Sequence, residues 1–254
     1  MRSLFPSRES AAPAIVEPVP TIFPKIDGAD VAAVFVGKRV AGDFYDSVRA
    51  SPQRVLIGLL DVAGRREENR HLLIVAQEIF RQAGPELFSA ADINEADAMT
   101  ELNLRINRGL IAASENVHSC PAFIACYHEK FGTLCYSNAG HTSALLRDRT
   151  GISELGSTGL PLGLFSHATS DSQIVGLEKG AALLLVSRGL VECEGRLSGS
   201  SQEFGLDRVK DVFQNAPLSS AQALCTSILN SANQFGKDVP MCDDRTALAL
   251  IRTA

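Results

Sequence analysis

The chain lacks the features by which several large classes of protein are recognised. No apolar run reaches the roughly 20 residues that a membrane-spanning helix needs, because charged or turn-forming residues interrupt every run. The first residues, MRSLFP, contain too few apolar positions for a signal peptide. These absences predict a cytoplasmic protein that has no membrane partner.

Nucleotide-binding and nucleic-acid-binding patterns are missing as well. Neither GxGxxG nor the phosphate-loop pattern GxxxxGK[ST] occurs, so no nucleotide site is predicted. The formal net charge is −5 and no basic stripe is present, which argues against nucleic acid as the main partner.

The six cysteines form no CxxC pair and have no His spacing that suits zinc. Cys126 and Cys135 sit in apolar, strand-like runs. We therefore expect reduced thiols in the protein core, as is usual in the cytosol.

What is present is enough apolar material for a sizeable core. Hydrophobic residues make up 45% of the 254, which suits one large domain or two small ones. Residues 1–28 carry five prolines and are predicted to be a tail, or an extended lead-in strand without its own core. The folded domain is predicted over residues 29–254.

Hydrophobic periodicity predicts strands first, then two helices, then more strands, late helices and a closing strand. The predicted strands cover 31–36, 54–60, 122–127, 132–137, 142–146, 181–186 and 246–252, with a hairpin turn at 50–53. The predicted helices cover 67–82, ended by Gly84-Pro85, and 92–113, 207–213 and 219–232. This order predicts an α+β layered domain with mainly antiparallel sheets.

Three acidic segments lie at the edges of apolar runs: AGDFYD (41–46), DVAG (61–64) and DDRT (243–246). Antiparallel pairing can bring Asp43 and Asp61 together, and Asp243 can join the same edge. Taken singly, each segment is explained as an ordinary turn, because Asp and Gly are common turn residues. Taken together they indicate a Mn²⁺ or Mg²⁺ site, because hard cations prefer carboxylate and carbonyl oxygens.

At these residues the chain resembles a known family. The segments named above occur together with NAGH (138–141), LPLG (160–163), SRGLVE (187–192) and FG (204–205) in the order seen in SpoIIE/RsbU-type serine phosphatases. These are bacterial members of the metal-dependent PPM (protein phosphatase 2C-like) family. The resemblance covers about residues 25–253, and it rests on the ordered set rather than on any one segment.

The resemblance implies a four-layer α-β-β-α sandwich, with two mainly antiparallel sheets flanked by helices. It also implies a dinuclear Mn²⁺ or Mg²⁺ centre and hydrolysis of phosphoserine or phosphothreonine by a metal-bound water. The usual substrate is a phosphorylated regulatory protein, an anti-sigma-factor antagonist of the STAS type. A homodimer is left open.

Residue roles follow from the same resemblance. Asp61 would bridge both metals, and the Val62 carbonyl would bind one of them. Asp43 would hold the second metal and Asp243 the first, with Asp244 in support.

Two further motif residues have weaker assignments. Asp46 closes the first motif, where we expect a structural role. His141 is a candidate general acid, but the Ala-Gly-His segment forms a turn in the family, so a structural or supporting role is preferred.

The chain departs from the family at three places. Arg188 stands where the family has the aspartate of Thr-Asp-Gly, a ligand of the first metal; arginine cannot ligate a metal and keeps its charge. Arg65 and Arg66 replace the His-Gly that follows DVAG. The helix that usually precedes the first motif is not evident.

Three outcomes follow from Arg188. The chain could be a phosphatase with an altered first-metal site, where Arg65, Arg66 or Arg188 binds substrate phosphate. It could be an inactive pseudophosphatase that binds a phosphorylated partner. Alternatively, Arg188 points away and Glu192 or Glu194 supplies the acid. A direct salt bridge from Arg188 to Asp61 and Asp243 would favour the pseudophosphatase.

Overall fold

The computed structural model describes residues 17–37, 42–62, 64, 66–114, 118–167, 170–197 and 200–254, without the side chains of 66–68 and 197. Its strands are β1 (Ala29–Val36), β2 (Gly42–Ser51), β3 (Arg54–Val62), β4 (Ala122–His128), β5 (Thr133–Ala139), β6 (Ala144–Asp148), β7 (Gly151–Leu155), β8 (Gln173–Gly176), β9 (Ala182–Val186), β10 (Glu194–Leu197), β11 (Ser200–Glu203) and β12 (Arg245–Arg252). Its helices are α1 (Arg66–Phe88), α2 (Glu95–Ala113), α3 (Arg188–Val191), α4 (Gly205–Asn215) and α5 (Ala221–Phe235).

Two five-stranded antiparallel sheets form the centre of the domain. The first has the order β1-β12-β9-β6-β7 and the second β2-β3-β4-β5-β8, while β10 and β11 form a separate hairpin. Helices α1 and α2 cover the outer face of the second sheet, and α4 and α5 cover that of the first. A third apolar cluster lies between the sheets. The predicted four-layer α+β sandwich is confirmed.

The two faces of strand β12 contribute side chains to two different apolar clusters. Its residues alternate in direction, because successive side chains of a strand point to opposite faces. Ala247 and Ala249 pack toward α4 and α5, whereas Leu248 and Leu250 lie between the sheets. The small side chains on the helix side let α5 lie close to the strand.

The predicted end of the first helix at Gly84-Pro85 is wrong, because α1 runs on to Phe88. A side chain at Gly84 would come within 2.5 Å of Leu56 in β3, so glycine lets the helix lie against the sheet. Proline removes one backbone hydrogen bond of the helix. Full burial of Phe88 in the core offsets that loss.

Residues 17–28 form neither helix nor strand. They run along α1 and β2, and Ile26 is buried between the sheets. Residues 1–16 lie outside the described part, and the boundary between a tail of 1–28 and a domain of 29–254 stays a prediction.

Five of the six cysteines are buried free thiols, as expected for the core, whereas Cys242 is exposed. Cys126 and Cys135 lie directly opposite each other on β4 and β5, and both are buried free thiols. Burial raises the pKa of the Cys135 thiol to about 12, so it is unreactive.

None of the described helices has the length and apolar content needed to cross a membrane.

Candidate active site

Asp43 and Asp61 face each other in the β2–β3 ladder, as the acidic segments predicted. Both carboxyls are buried, with exposures of 5% and 4%. The next pair along the ladder is Gly42 and Val62, and a side chain at Gly42 would lie 2.2 Å from the Val62 carbonyl oxygen. Glycine therefore lets β2 approach this carbonyl closely, beside the two carboxyls.

Two hydroxyl groups from the other sheet complete the surroundings of Asp43. The Thr246 hydroxyl donates to the Asp43 carboxylate at 2.7 Å, and the Ser187 side chain also hydrogen-bonds Asp43. The Thr246 amide donates to Ser187 Oγ at 2.9 Å. Both residues were missed as site residues, although each belongs to a quoted motif and sits at the end of an apolar strand.

The paired acids have unusual proton affinities. Burial and the neighbouring Asp61 charge raise the pKa of Asp43 to about 8, against the opposing hydrogen bonds from Thr246 and Ser187. Burial also raises the pKa of Asp61, while the Arg188 charge opposes that rise. Asp43 is therefore mostly protonated at neutral pH.

Arg188 points into this site. Its Nε lies 3.4 Å from Asp61 Oδ2, and its Nη2 lies 3.7 Å from Asp243 Oδ2. A side chain at Gly189 would lie 2.8 Å from the Asp243 side chain, so glycine at the start of α3 brings Arg188 and Asp243 together. The outcome in which Arg188 points away and Glu192 or Glu194 replaces it does not agree with this geometry.

The donor set fits the two implied metals unequally. For the first metal, Asp61 and Asp243 already share one permanent cation, so that position does not fit a divalent ion. For the second, Asp43, Asp61 and the Val62 carbonyl offer three neighbouring oxygens, the donors that Mg²⁺ and Mn²⁺ prefer. Among the described residues, no group of three or more His, Cys, Asp or Glu side chains could hold a metal ion.

Asp46 anchors α1 to the sheet instead of facing the acidic pair. It is 1% exposed and accepts hydrogen bonds from Arg81 at 2.6 and 2.9 Å and from Gln77 at 3.0 Å. The Ser47 amide donates a further bond at 2.9 Å. These contacts are structural, as expected for this residue.

His141 is held inside the turn that follows β5. Its amide donates to Asn138 Oδ1 at 2.8 Å, and its Nδ1 donates to the Thr142 carbonyl at 3.1 Å. Burial lowers the pKa of its imidazole to about 4. A neutral, buried ring agrees with the preferred structural role.

The remaining predicted residues differ in how far the structure describes them. Asp244 is fully buried, and its amide donates to Asp243 Oδ1 at 2.9 Å. Arg65 lies outside the described residues. Arg66 is the first residue of α1, but its side chain is not described.

The comparison with protein families decides the identity of the domain. The family described as stage II sporulation protein E (SpoIIE) matches residues 51–253. The chain belongs to the SpoIIE family. Its domain is a SpoIIE/RsbU-type PPM phosphatase domain, a class of hydrolases, as the ordered motifs indicated.

Solved structures agree with this assignment at the level of the fold. The SiaA-PP2C domain of Pseudomonas aeruginosa has a TM-score of 0.73 and 18% identity, with 87% of this chain and 84% of that chain covered. The RsbU and RsbW domains of a Mycobacterium tuberculosis protein give 0.70 and 24%, covering 91% and 62%. The PP2C phosphatase domain of Bacillus subtilis SpoIIE, with a fragment of its regulatory domain, gives 0.70 and 14%, covering 90% and 64%.

This chain therefore spans less than two thirds of the last two structures. No curated protein matches it.

Proposed function

We propose that this SpoIIE-family chain is a pseudophosphatase: it binds a phosphorylated serine or threonine of a regulatory protein and does not hydrolyse it by two-metal chemistry. One observation carries the proposal, namely the Arg188 guanidinium between Asp61 and Asp243. The regulatory protein would be a STAS-type antagonist in the cytoplasm.

Electrostatics explain why Arg188 opposes the first metal. Two unit charges 4 Å apart interact by about 4 kcal/mol near a protein surface, so a divalent ion beside the guanidinium would be repelled by roughly 8 kcal/mol. Arginine does not lose its proton to relieve this repulsion. A metal could enter only if Arg188 left both carboxylates.

The same guanidinium supports phosphate binding. The Arg188 side chain is half exposed, so part of its guanidinium faces solvent. Guanidinium groups bind phosphate through paired N–H donors. Asp43, mostly protonated at neutral pH, adds little negative charge to repel a phosphate.

A second candidate is a protein serine/threonine phosphatase with an altered first-metal site. It is favoured by the register that pairs Asp43 with Asp61 and by the Val62 carbonyl that lies next to this pair in the ladder. These groups would hold a single Mn²⁺ or Mg²⁺, which when bound would supply Lewis-acid charge and activate water.

Calorimetric titration with Mn²⁺ separates the two candidates. We expect no binding heat for the native chain and clear binding for Arg188→Asp, which adds a fourth acid and removes the cation. The double variant Arg188→Asp/Asp61→Asn should lose that binding. Heat from the native chain that disappears in Asp61→Asn would instead support the single-metal phosphatase.

Phosphate binding needs a separate measurement. We expect O-phosphoserine to bind the native chain without added metal, and Arg188→Gln to weaken that binding at least about tenfold, because a charge-assisted contact is lost. Equal binding by both proteins would contradict the proposed role of Arg188.

A further inference from the structure

A second recognition surface lies on the other side of β2. Residues 17–23, here named the strap, have the sequence Glu-Pro-Val-Pro-Thr-Ile-Phe and lie, without helix or strand, in a groove between α1 and β2. The groove is formed by five side chains and main-chain groups that contact the strap: Arg70, Gln77 and Arg81 of α1, and Tyr45 and Asp46 of β2.

The central contact is made to the backbone of the strap. The Gln77 side-chain amide accepts from the Val19 N–H at 2.7 Å and donates to the Val19 carbonyl at 2.8 Å. One amide thus satisfies both main-chain groups of one residue, as a neighbouring strand would. This contact needs no particular side chain at position 19.

Contacts on either side add selectivity. Arg70 pairs with Glu17 at 2.9 Å. The Thr21 hydroxyl lies 2.7 Å from the Tyr45 carbonyl and 3.1 Å from Asp46 Oδ1. The prolines at 18 and 20 have no N–H to satisfy and favour the extended conformation before binding. The groove therefore selects an acidic residue, a Pro-x-Pro unit and a hydroxyl in that order.

Polar contacts hold most of the strap, and its apolar anchor is Phe23 at its end. The Phe23 ring stacks on Tyr45, with ring centroids 6.1 Å apart, and packs against the cluster between the sheets. Val19 is 57% exposed and Ile22 is 82% exposed. The first buried side chain of the described sequence is Ile26. Residues 17–22 can therefore open more easily than the core while Phe23 stays in place, because few apolar contacts are lost.

The strap also forms one wall of a cavity of about 650 Å³ that reaches Asp43. Its other lining residues include Phe35, Phe44 and Tyr45. Opening of the strap would uncover this cavity and the Asp43 side of the candidate site.

We propose that the α1–β2 groove is a recognition site for extended, proline-containing segments, and that the strap is its resident and exchangeable occupant. The geometry of the Gln77–Val19 pair and of its flanking contacts defines the ligand class. This inference concerns the groove beside α1, which adjoins the candidate site through the Asp43 cavity, and it holds whether or not the chain hydrolyses phosphate.

Hydrogen exchange of the full chain tests the resident occupant. Thr21→Val keeps the shape of the side chain and removes its hydroxyl contacts. We expect amides within 17–23 to exchange about tenfold faster, while the exchange of α5 is unchanged. The matched control is Thr226→Val, which removes a hydroxyl bond on α5 and should leave the strap unaffected. Unchanged exchange within 17–23 would contradict the inference.

Binding in trans tests the groove itself, with a fluorescent peptide of residues 17–26 as the probe. We expect it to bind Thr21→Val about tenfold more tightly than the native chain, because the resident strap competes less well. Adding Gln77→Met, or Arg70→Ala should Gln77→Met not fold, should weaken that binding. Equal binding to the native chain and Thr21→Val, or binding insensitive to the groove variants, would overturn the proposal.

Discussion

Thr246 of β12 donates a hydrogen bond to Asp43 of β2 across the space between the two sheets, at 2.7 Å. Both side chains are buried. The bond joins β12, an interior strand of one sheet, to β2, an edge strand of the other, so the position of the Asp43 carboxyl depends on both layers.

Loss of the Thr246 hydroxyl should therefore destabilise the fold. We expect Thr246→Val to lower the free energy of unfolding by about 1–3 kcal/mol, because a buried carboxyl loses a donor. Thr246→Ser keeps the hydroxyl and should recover most of that loss. Urea denaturation at neutral pH measures both variants, and equal stability of the two would argue against the contact.

Replacing the Asp43 carboxyl, which must be protonated in the folded chain, by a neutral amide should have the opposite effect. The pKa of Asp43 is about 8 in the folded chain and 3.8 in a free carboxyl. Between these values the unfolded chain has released the proton that the folded chain retains, so stability falls as the pH rises. We expect Asp43→Asn to raise the free energy of unfolding at neutral pH by up to about 4 kcal/mol.

The pH profile of Asp43→Asn provides the check. The gain over the native chain should be small near pH 4 and should grow toward pH 8. A gain that is independent of pH would show that Asp43 is not the responsible group.

His141 should give a pH effect of opposite sign. Burial lowers the pKa of His141 from 6.5 to about 4. Between these values the unfolded chain binds a proton that the folded chain does not, so stability falls as the pH decreases. The full effect is about 3 kcal/mol.

The difference in unfolding free energy between the native chain and His141→Gln isolates this effect. It should shrink as the pH falls from 6.5 to about 4, because the native chain alone contains the titrating ring. A constant difference across this range would contradict the prediction.

The arginine substitution should control hydrolysis. We expect Arg188→Asp with Mn²⁺ to hydrolyse p-nitrophenyl phosphate about a hundredfold faster than the native chain, because a bound metal supplies several kcal/mol of transition-state stabilisation. Arg196→Asp makes the same change of charge on the exposed β10 and should leave the rate unchanged. A native rate equal to that of Arg188→Asp would contradict the inhibitory role of Arg188.

The sequence predicted the fold and the acidic pair well, since both depend on local patterns. Asp43 and Asp61 lie at the two ends of one hairpin, and a hairpin's register follows from its turn. The layered order followed from hydrophobic periodicity, which is strong in fully buried strands such as β3.

Long-range packing decided the features that sequence patterns could not predict. The continuation of α1 beyond Pro85 depends on the burial of Phe88 against distant residues. The roles of Thr246 and Ser187 appear only once the two sheets face each other. Short, exposed strands such as β8 have no apolar alternation to reveal them.

The sequence pattern also could not predict the direction of the Arg188 side chain. The resemblance to the family predicted that Arg188 is the unusual residue, but either orientation suits a half-exposed arginine. Its place between Asp61 and Asp243 follows from the close packing of Gly189 against Asp243.

Asp61 belongs to one sheet, and Arg188 leads out of a strand of the other. Their ion pair thus links the two layers with a positive charge that is part of the polypeptide. In a metal-dependent relative this link would vary with the supply of divalent ions in the cell. Here the ion pair forms when the chain folds, so the contact between the two layers should not depend on the concentration of divalent metal ions.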